Sequence, residues 1–196
     1  RMDLFLILSL SYLMGSIPFG LLITKLFLKK DIRKIGSGNI GATNVLRAGK
    51  NYLAYTTLVF DILKGTIPVF ICKINFSEYI YYSAIFVLLG HIFPIWIKFK
   101  GGKGIATFIG ILLAINYMYA LIYSTIWILT NFIIKYSSLS SIISTIFITF
   151  FVLLFKENQN VYFYIIVSII FLFTHRENIK RLINKTEPKT IFFKKK

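Results

Sequence analysis

Ser37 and Arg47 bracket the glycine-rich run "GSGNIGATNVLR", residues 36 to 47, a combination suited to holding phosphate. Glycine backbone approaches an anion closely and offers amide donors to it. Asn39, Thr43 and Asn44 add neutral donors beside Ser37, and Arg47 supplies a planar fork that matches phosphate oxygens. The spacing of Gly36, Gly38 and Gly41 also spells the GxGxxG of a dinucleotide turn, with Asp61 placed 20 residues after Gly41. Context excludes that fold. Asp61 lies inside the apolar run "YTTLVFDILKGTIPVF", and "KKDIRKI" before Gly36 is too charged for a buried parallel strand.

A second candidate is "GHIFPIWIKFKGGKGIATFIG", residues 90 to 110. It is not a Walker loop, because Ile97 and Gly104 stand where glycine and Ser or Thr would be needed. Lys100, Gly101, Gly102, Lys103 and Gly104 instead lead straight into an apolar helix beginning near Ile105, and a helix N-terminus preceded by glycines and lysines attracts anions. In the third segment, "THRENIKRLINKTEPK", His175, Asn178 and Leu182 share one helical face, so His175 and Asn178 can point together while Leu182 packs. Asp61 and Lys64 are three apart and face the same way, which suits an internal pair. His91 is a hydrogen-bonded helix histidine.

The elements that carry these residues are membrane helices. Of 196 residues, 57% are hydrophobic and 17% aromatic, beyond what a soluble core uses. Apolar runs cover 4–28, 52–72, 79–97, 104–134, 139–155 and 161–174; the first lacks a cleavage site and reads as one retained spanning helix. The formal charge is +16, which in a soluble protein would point to nucleic acid. Here the basic residues cluster between membrane runs: seven from Lys25 to Lys50, three from Lys98 to Lys103 and eight from Arg176 onward. By the positive-inside rule these segments are cytoplasmic, facing anionic lipid and phosphorylated substrates. For all three to share a side, the 31-residue run 104–134 has to cross twice, with Asn116 near the outer surface and Lys135 near the inner one. The expectation is an all-α, polytopic integral membrane protein of about seven transmembrane helices, N-terminus outside and C-terminus cytoplasmic. Residues 1–196 form a single membrane domain, with cytoplasmic segments at about 29–51, 98–104 and 175–196.

Several chemistries are excluded. Of seven acids only Asp31, Asp61, Glu177 and Glu187 could approach the inner face, and no two are adjacent, so no divalent-metal centre is expected. An HxxxxD acyltransferase dyad would need Asp at 96 or 180, which are Trp96 and Lys180. Cys72 falls at an outer helix end with no base near it, which argues against an acyl-cysteine.

Taken together, "GSGNIGATNVLR", "GHIFPIWIKFKGGKGIAT" and "HRENIKRL", with Glu187 following, resemble the bacterial acyl phosphate:glycerol-3-phosphate acyltransferase family, usually called PlsY. "GSIPFG" at 15–20 and "DILKG" at 61–65 extend the resemblance over nearly the whole chain. Thr174 stands where the family usually has Arg, and Lys185 where it usually has Gly. The resemblance implies acyl transfer from acyl phosphate to the sn-1 hydroxyl of glycerol 3-phosphate at the cytoplasmic face of the inner membrane. It implies that Gly101, Gly102 and Gly104 hold the acyl phosphate, that Ser37, Arg47 and Lys103 contact substrate phosphates with His175 and Asn178 nearby, and that Glu187 is a supporting residue. No cofactor is called for, since acyl phosphate is already activated. The expected partners are the two substrates and membrane lipid, with no nucleic acid and no obligate protein partner. Either His175 or an oxygen of the acyl phosphate could take the hydroxyl proton; the lack of a carboxylate to orient His175 favours the latter. The competing reading is a small transporter for a phosphorylated solute, against which stand the one-sided polar residues and the lack of an internal repeat.

Overall fold

The computed structural model describes residues 2–48, 50–155 and 160–190, and among them every regular element is a helix. These are α1 Met2–Gly15, α2 Phe19–Leu28, α3 Ala42–Arg47, α4 Asn51–Asn75 and α5 Ile80–Ile92. They continue with α6 Ile105–Ile115, α7 Tyr117–Ile134, α8 Ser137–Phe155, α9 Val161–Thr174 and α10 Arg176–Ile183. The chain condenses into two compact units, Arg1–Tyr117 and Met118–Lys196, where the sequence shows no boundary. Among the described residues, four segments are long and apolar enough to cross a membrane: Leu4–Leu28, Ser77–Ile97, Tyr117–Ile134 and Ser137–Phe155. Large apolar side chains such as Phe132, Ile133, Leu154, Phe155 and Ile169 point outward, as a surface meant for hydrocarbon requires. The protein is a multi-pass membrane protein.

In the first unit the run 4–28 is two helices, a correction to the single helix expected. Pro18 lacks an N–H and disfavours helical backbone at Ile17, so α1 stops at Gly15 and α2 starts at Phe19. The break leaves the Ile17 carbonyl exposed to the bundle interior, where Lys64 Nζ of α4 donates to it at 2.7 Å. Lys64 in turn lies 2.9 Å from Asp61 Oδ1, an ion pair with both side chains almost fully buried. A buried charge demands a partner, and here the pair and the broken helix answer each other.

Glycines set the closest crossings. A methyl group at Gly65 of α4 would meet the Thr107 carbonyl of α6, and one at Gly110 would meet the Ile62 carbonyl, so each helix rests its bare backbone on the other. Thr66 Oγ1 adds a bond to Gly110 O at 3.0 Å. Lys73 Nζ closes the far end of α6, donating to Ala114 O and Ile115 O at 3.0 and 2.9 Å. The two helices therefore run in the same sense, and the first turn of α6 is level with the middle of α4. At 11 residues α6 rises about 16 Å, half of a hydrocarbon core. The run 104–134 divides at Asn116, the position anticipated from its polarity.

The second unit is sewn together by hydroxyls. Trp127 Nε1 donates to Ser141 Oγ at 3.0 Å, Tyr123 Oη lies 3.3 Å from Thr145 Oγ1, and Thr149 Oγ1 lies 2.9 Å from Ser168 Oγ. These bonds tie α8 to α7 and α9 where hydrophobic attraction between helices is weak in lipid.

Candidate active site

The first glycine run folds around Asn44. Its Oδ1 accepts the Ser37 N–H at 2.9 Å, and its Nδ2 donates to the carbonyls of Ile32, Ile35 and Asn39 at 3.2, 2.9 and 2.8 Å. At 2% exposed, Asn44 is the loop's internal scaffold and has no donor left for substrate, which changes the role expected from its type. Asn39 is partly engaged as well, its Oδ1 accepting the Gly41 N–H at 3.2 Å. Gly36 and Gly38 adopt φ of 56° and 72°, the left-handed region that glycine takes without strain. A methyl at Gly36 would touch both Asn44 and Arg47 Cδ, so the Arg47 side chain passes directly over the residue that precedes Ser37. Ser37 is exposed, and Thr43 and Arg47 are half-buried on the same short stretch. Upstream, Asp31 caps the turn Ile32–Lys34 and grips Arg33, whose guanidinium holds the Asp31 carboxyl down to about 2.

The second loop doubles back on the end of α5. Phe99 N–H donates to Pro94 O, Lys100 N–H to Ile97 O, Gly101 N–H to Ile92 O and Gly102 N–H to His91 O, at 3.0 to 3.2 Å. The amides of Gly101 and Gly102 are thus spent on protein carbonyls. Candidate donors to an anion are the Lys100 and Lys103 side chains and the first turn of α6, Ile105 to Thr107, whose amides have no carbonyl partner within their helix. Gly104 caps that helix at φ 89°. Lys100 is exposed and Lys103 half-buried. His91 is buried beneath the loop, with Nδ1 3.0 Å from Thr107 Oγ1 and 3.9 Å from Asp61 Oδ1.

Both loops rest on one apolar cluster. Ile32, Ile40 and Val45 of the first loop are buried with Leu21, Ile23, Leu53 and Ala54, and Ile97 of the second loop packs against the same group. Gly20 of α2 lies against the Ile40 carbonyl, which seats the first loop on the helix behind it. Sequence reasoning missed this platform and Thr107, because the first depends on spacing across 57 residues, from Ile40 to Ile97, and the second is an ordinary helix threonine.

In the second unit His175 and Asn178 are both buried at the α9–α10 corner, as the shared helical face predicts. His175 Nδ1 lies 2.8 Å from Phe171 O; a carbonyl only accepts, so Nδ1 carries the proton and Nε2 is the basic nitrogen of the neutral ring. Glu187 is the hub of this corner. Oε1 accepts from Ser138 Oγ and Asn178 Nδ2, both at 2.7 Å, and Oε2 accepts from Arg181 Nε at 2.8 Å. Burial raises the Glu187 pKa, but hydrogen bonds from Asn178, Ser138 and Arg181 outweigh it and hold the carboxyl below the usual glutamate value. A lowered folded pKa means that the stability it contributes is present above the unfolded value of about 4.3 and is lost as pH falls through the folded one. In thermal scans in detergent, Glu187→Gln is therefore expected to lie below the parent protein at pH 7, with the two converging as the pH falls below the ordinary glutamate range. A gap that persists unchanged in acid would show that Glu187 is not held as a carboxylate. Lys185 adopts φ 57° at the end of α10, where the Thr186 N–H returns to Arg181 O and the Lys185 N–H to Leu182 O. That is a left-handed helix stop for which glycine is the favoured residue.

A sequence model of the family described as Glycerol-3-phosphate acyltransferase matches residues 5–185. A glycerol-3-phosphate acyltransferase of Pelagibacter ubique is 53% identical over 187 residues, covering 95% of this chain and 97% of its own. One from Ehrlichia canis is 48% identical over 187 residues, covering 93% of this chain and 96% of its own. Among solved structures, PlsY, an integral membrane glycerol 3-phosphate acyltransferase, in its glycerol 3-phosphate form is 35% identical with a TM-score of 0.91, covering 95% of each chain. Its lysophosphatidic acid form matches at a TM-score of 0.88 and 34% identity, again over 95% of each chain.

Proposed function

The chain belongs to the glycerol-3-phosphate acyltransferase family and is a membrane acyltransferase of phospholipid biosynthesis, and from that premise we propose that its donor is acyl phosphate. The reaction moves a fatty acyl group to the sn-1 hydroxyl of glycerol 3-phosphate and gives lysophosphatidic acid and orthophosphate. The transporter reading is set aside with family membership. The observation that carries the proposal is the common seat of two anion-attracting loops, Ile97 packing on the cluster that holds Ile32, Ile40 and Val45. A reaction between two phosphate-bearing substrates needs two such sites side by side, and neither metal nor protein nucleophile, because a mixed anhydride already has a good leaving group.

In this reading Lys100, Lys103 and the first turn of α6 take the acyl phosphate, and Ser37 and Arg47 take the phosphate of the acceptor. The hydroxyl oxygen bonds to the acyl carbon, the bond from that carbon to the phosphate oxygen breaks, and the hydroxyl proton passes to the departing phosphate. Orientation supplies most of the acceleration, since a well-aligned pair gains about 7 to 11 kcal/mol over free encounter. The Nδ1 proton of His175 is held by the Phe171 carbonyl, a neutral acceptor. This supports the substrate-assisted route. Asn178 acts through Glu187, which it holds at 2.7 Å. The clustering of basic residues supports a topology of seven crossings with the N-terminus outside, in which both loops and the C-terminus face the cytoplasmic side of the inner membrane.

The test is orthophosphate release by the purified protein given acyl phosphate and glycerol 3-phosphate. His175→Gln is expected to keep kcat within about tenfold of the parent, with the acid limb of the pH profile unchanged. A loss of about 10⁴-fold together with the disappearance of that limb would assign the proton to His175.

A further inference from the structure

Three glycines of the second loop are bare for three different reasons. Gly104 needs its left-handed φ of 89°. A methyl at Gly101 would collide with the carbonyls of His91 and Ile92 and with Pro94 Cδ, a wall of backbone and ring that cannot give way. Gly102 differs from both. Its φ lies outside the left-handed region, so alanine would fit its backbone, and the three atoms nearest to an added methyl all belong to one side chain: Nε2, Cε1 and Cδ2 of His91. The same histidine receives the Gly102 N–H on its carbonyl at 3.1 Å and meets Thr107, in the first turn of α6, at 3.0 Å through Nδ1. One imidazole therefore touches the loop before Lys103 and the helix turn after it.

We propose that His91 is a positioning residue: its ring is the template on which Gly102 is seated, and it fixes Lys103, Gly104 and the first turn of α6 toward the acyl phosphate. Gly102 is glycine because of the imidazole beneath it and not because substrate needs its bare backbone. The Gly102 amide, spent on His91 O, is in any case turned inward. The proposal rests on the reading that this loop holds acyl phosphate.

A double-mutant cycle separates the two ideas. Asparagine at 91 keeps an atom at the distance of Nδ1 for Thr107 but lacks Cε1 and Nε2, the part of the ring that crowds Gly102. Gly102→Ala alone is expected to raise the KM for acyl phosphate about tenfold or more, with a smaller change in kcat, since displaced binding groups weaken both. In the His91→Asn background the same change is expected to raise it by less than about twofold, the methyl occupying the space the ring vacated. His91→Ala provides a second background in which the penalty of Gly102→Ala should also shrink. Equal penalties in all backgrounds would overturn the proposal, because the crowding would then come from substrate. Coupling seen in the KM for glycerol 3-phosphate instead of acyl phosphate would support the template and overturn the loop's assignment.

Discussion

Arg47→Ala is expected to lower kcat/KM by about 10²- to 10³-fold, the usual cost of losing one preorganised charged donor from an oxyanion or phosphate site. Arg47 closes α3 and its Cδ lies over Gly36, one residue from Ser37, and in the proposed reading the guanidinium and the Ser37 hydroxyl serve one anion. Arg47→Lys is expected to restore little, because an ammonium cannot make the paired planar contact. Ser37→Ala should show the same sign with a smaller loss. These variants should remain folded: the loop's shape is held by Asn44, whose four hydrogen bonds do not involve either side chain. Steady-state kinetics alongside thermal unfolding in detergent checks both halves. A large drop in unfolding temperature for Arg47→Ala would make it a structural residue.

Lys64→Met is expected to be the most destabilising single change, at about 3 to 5 kcal/mol. It leaves the Asp61 carboxylate buried without its cation and strips the Ile17 carbonyl of its donor at the break between α1 and α2. The apparent unfolding temperature should fall by about 10 °C. Adding Asp61→Leu should recover much of that loss, since an apolar pair of similar volume replaces two buried charges at little net cost. Failure of the second change to help would mean that the carbonyl of Ile17, and not the ion pair, is what Lys64 chiefly serves.

How far the sequence reaches can be followed residue by residue. The break at Asn116 was legible, because Asn116 and Tyr117 sit near the middle of an apolar run too long for one crossing, where a turn between two helices has to fall. The break at Pro18 was legible in principle and was overridden by continuous hydrophobicity, although a proline without an N–H marks it. The pairing of Asp61 with Lys64 followed from their spacing of three; the carbonyl that Lys64 also caps did not, since it lies 47 positions away. Asn44 shows the deeper limit. Sequence counts it as a donor, and only folding reveals that the donor is spent on the loop itself. The glycines of the second loop make the same point: their spacing suggests a cradle of amides, yet the amides of Gly101 and Gly102 face α5. Lys185 sits at φ 57° in a turn that glycine favours, so the lysine bears the strain of the left-handed backbone.

The central claim is direct transfer from acyl phosphate, with two positioned anions and no acyl-enzyme. It is tested most directly by mixing the purified protein with acyl phosphate and isotopically labelled orthophosphate, first without and then with glycerol 3-phosphate. The account predicts no phosphate burst and no label entering acyl phosphate until acceptor is added, then one orthophosphate released per lysophosphatidic acid formed. A burst matching the amount of enzyme, or label exchange in the absence of acceptor, would contradict it.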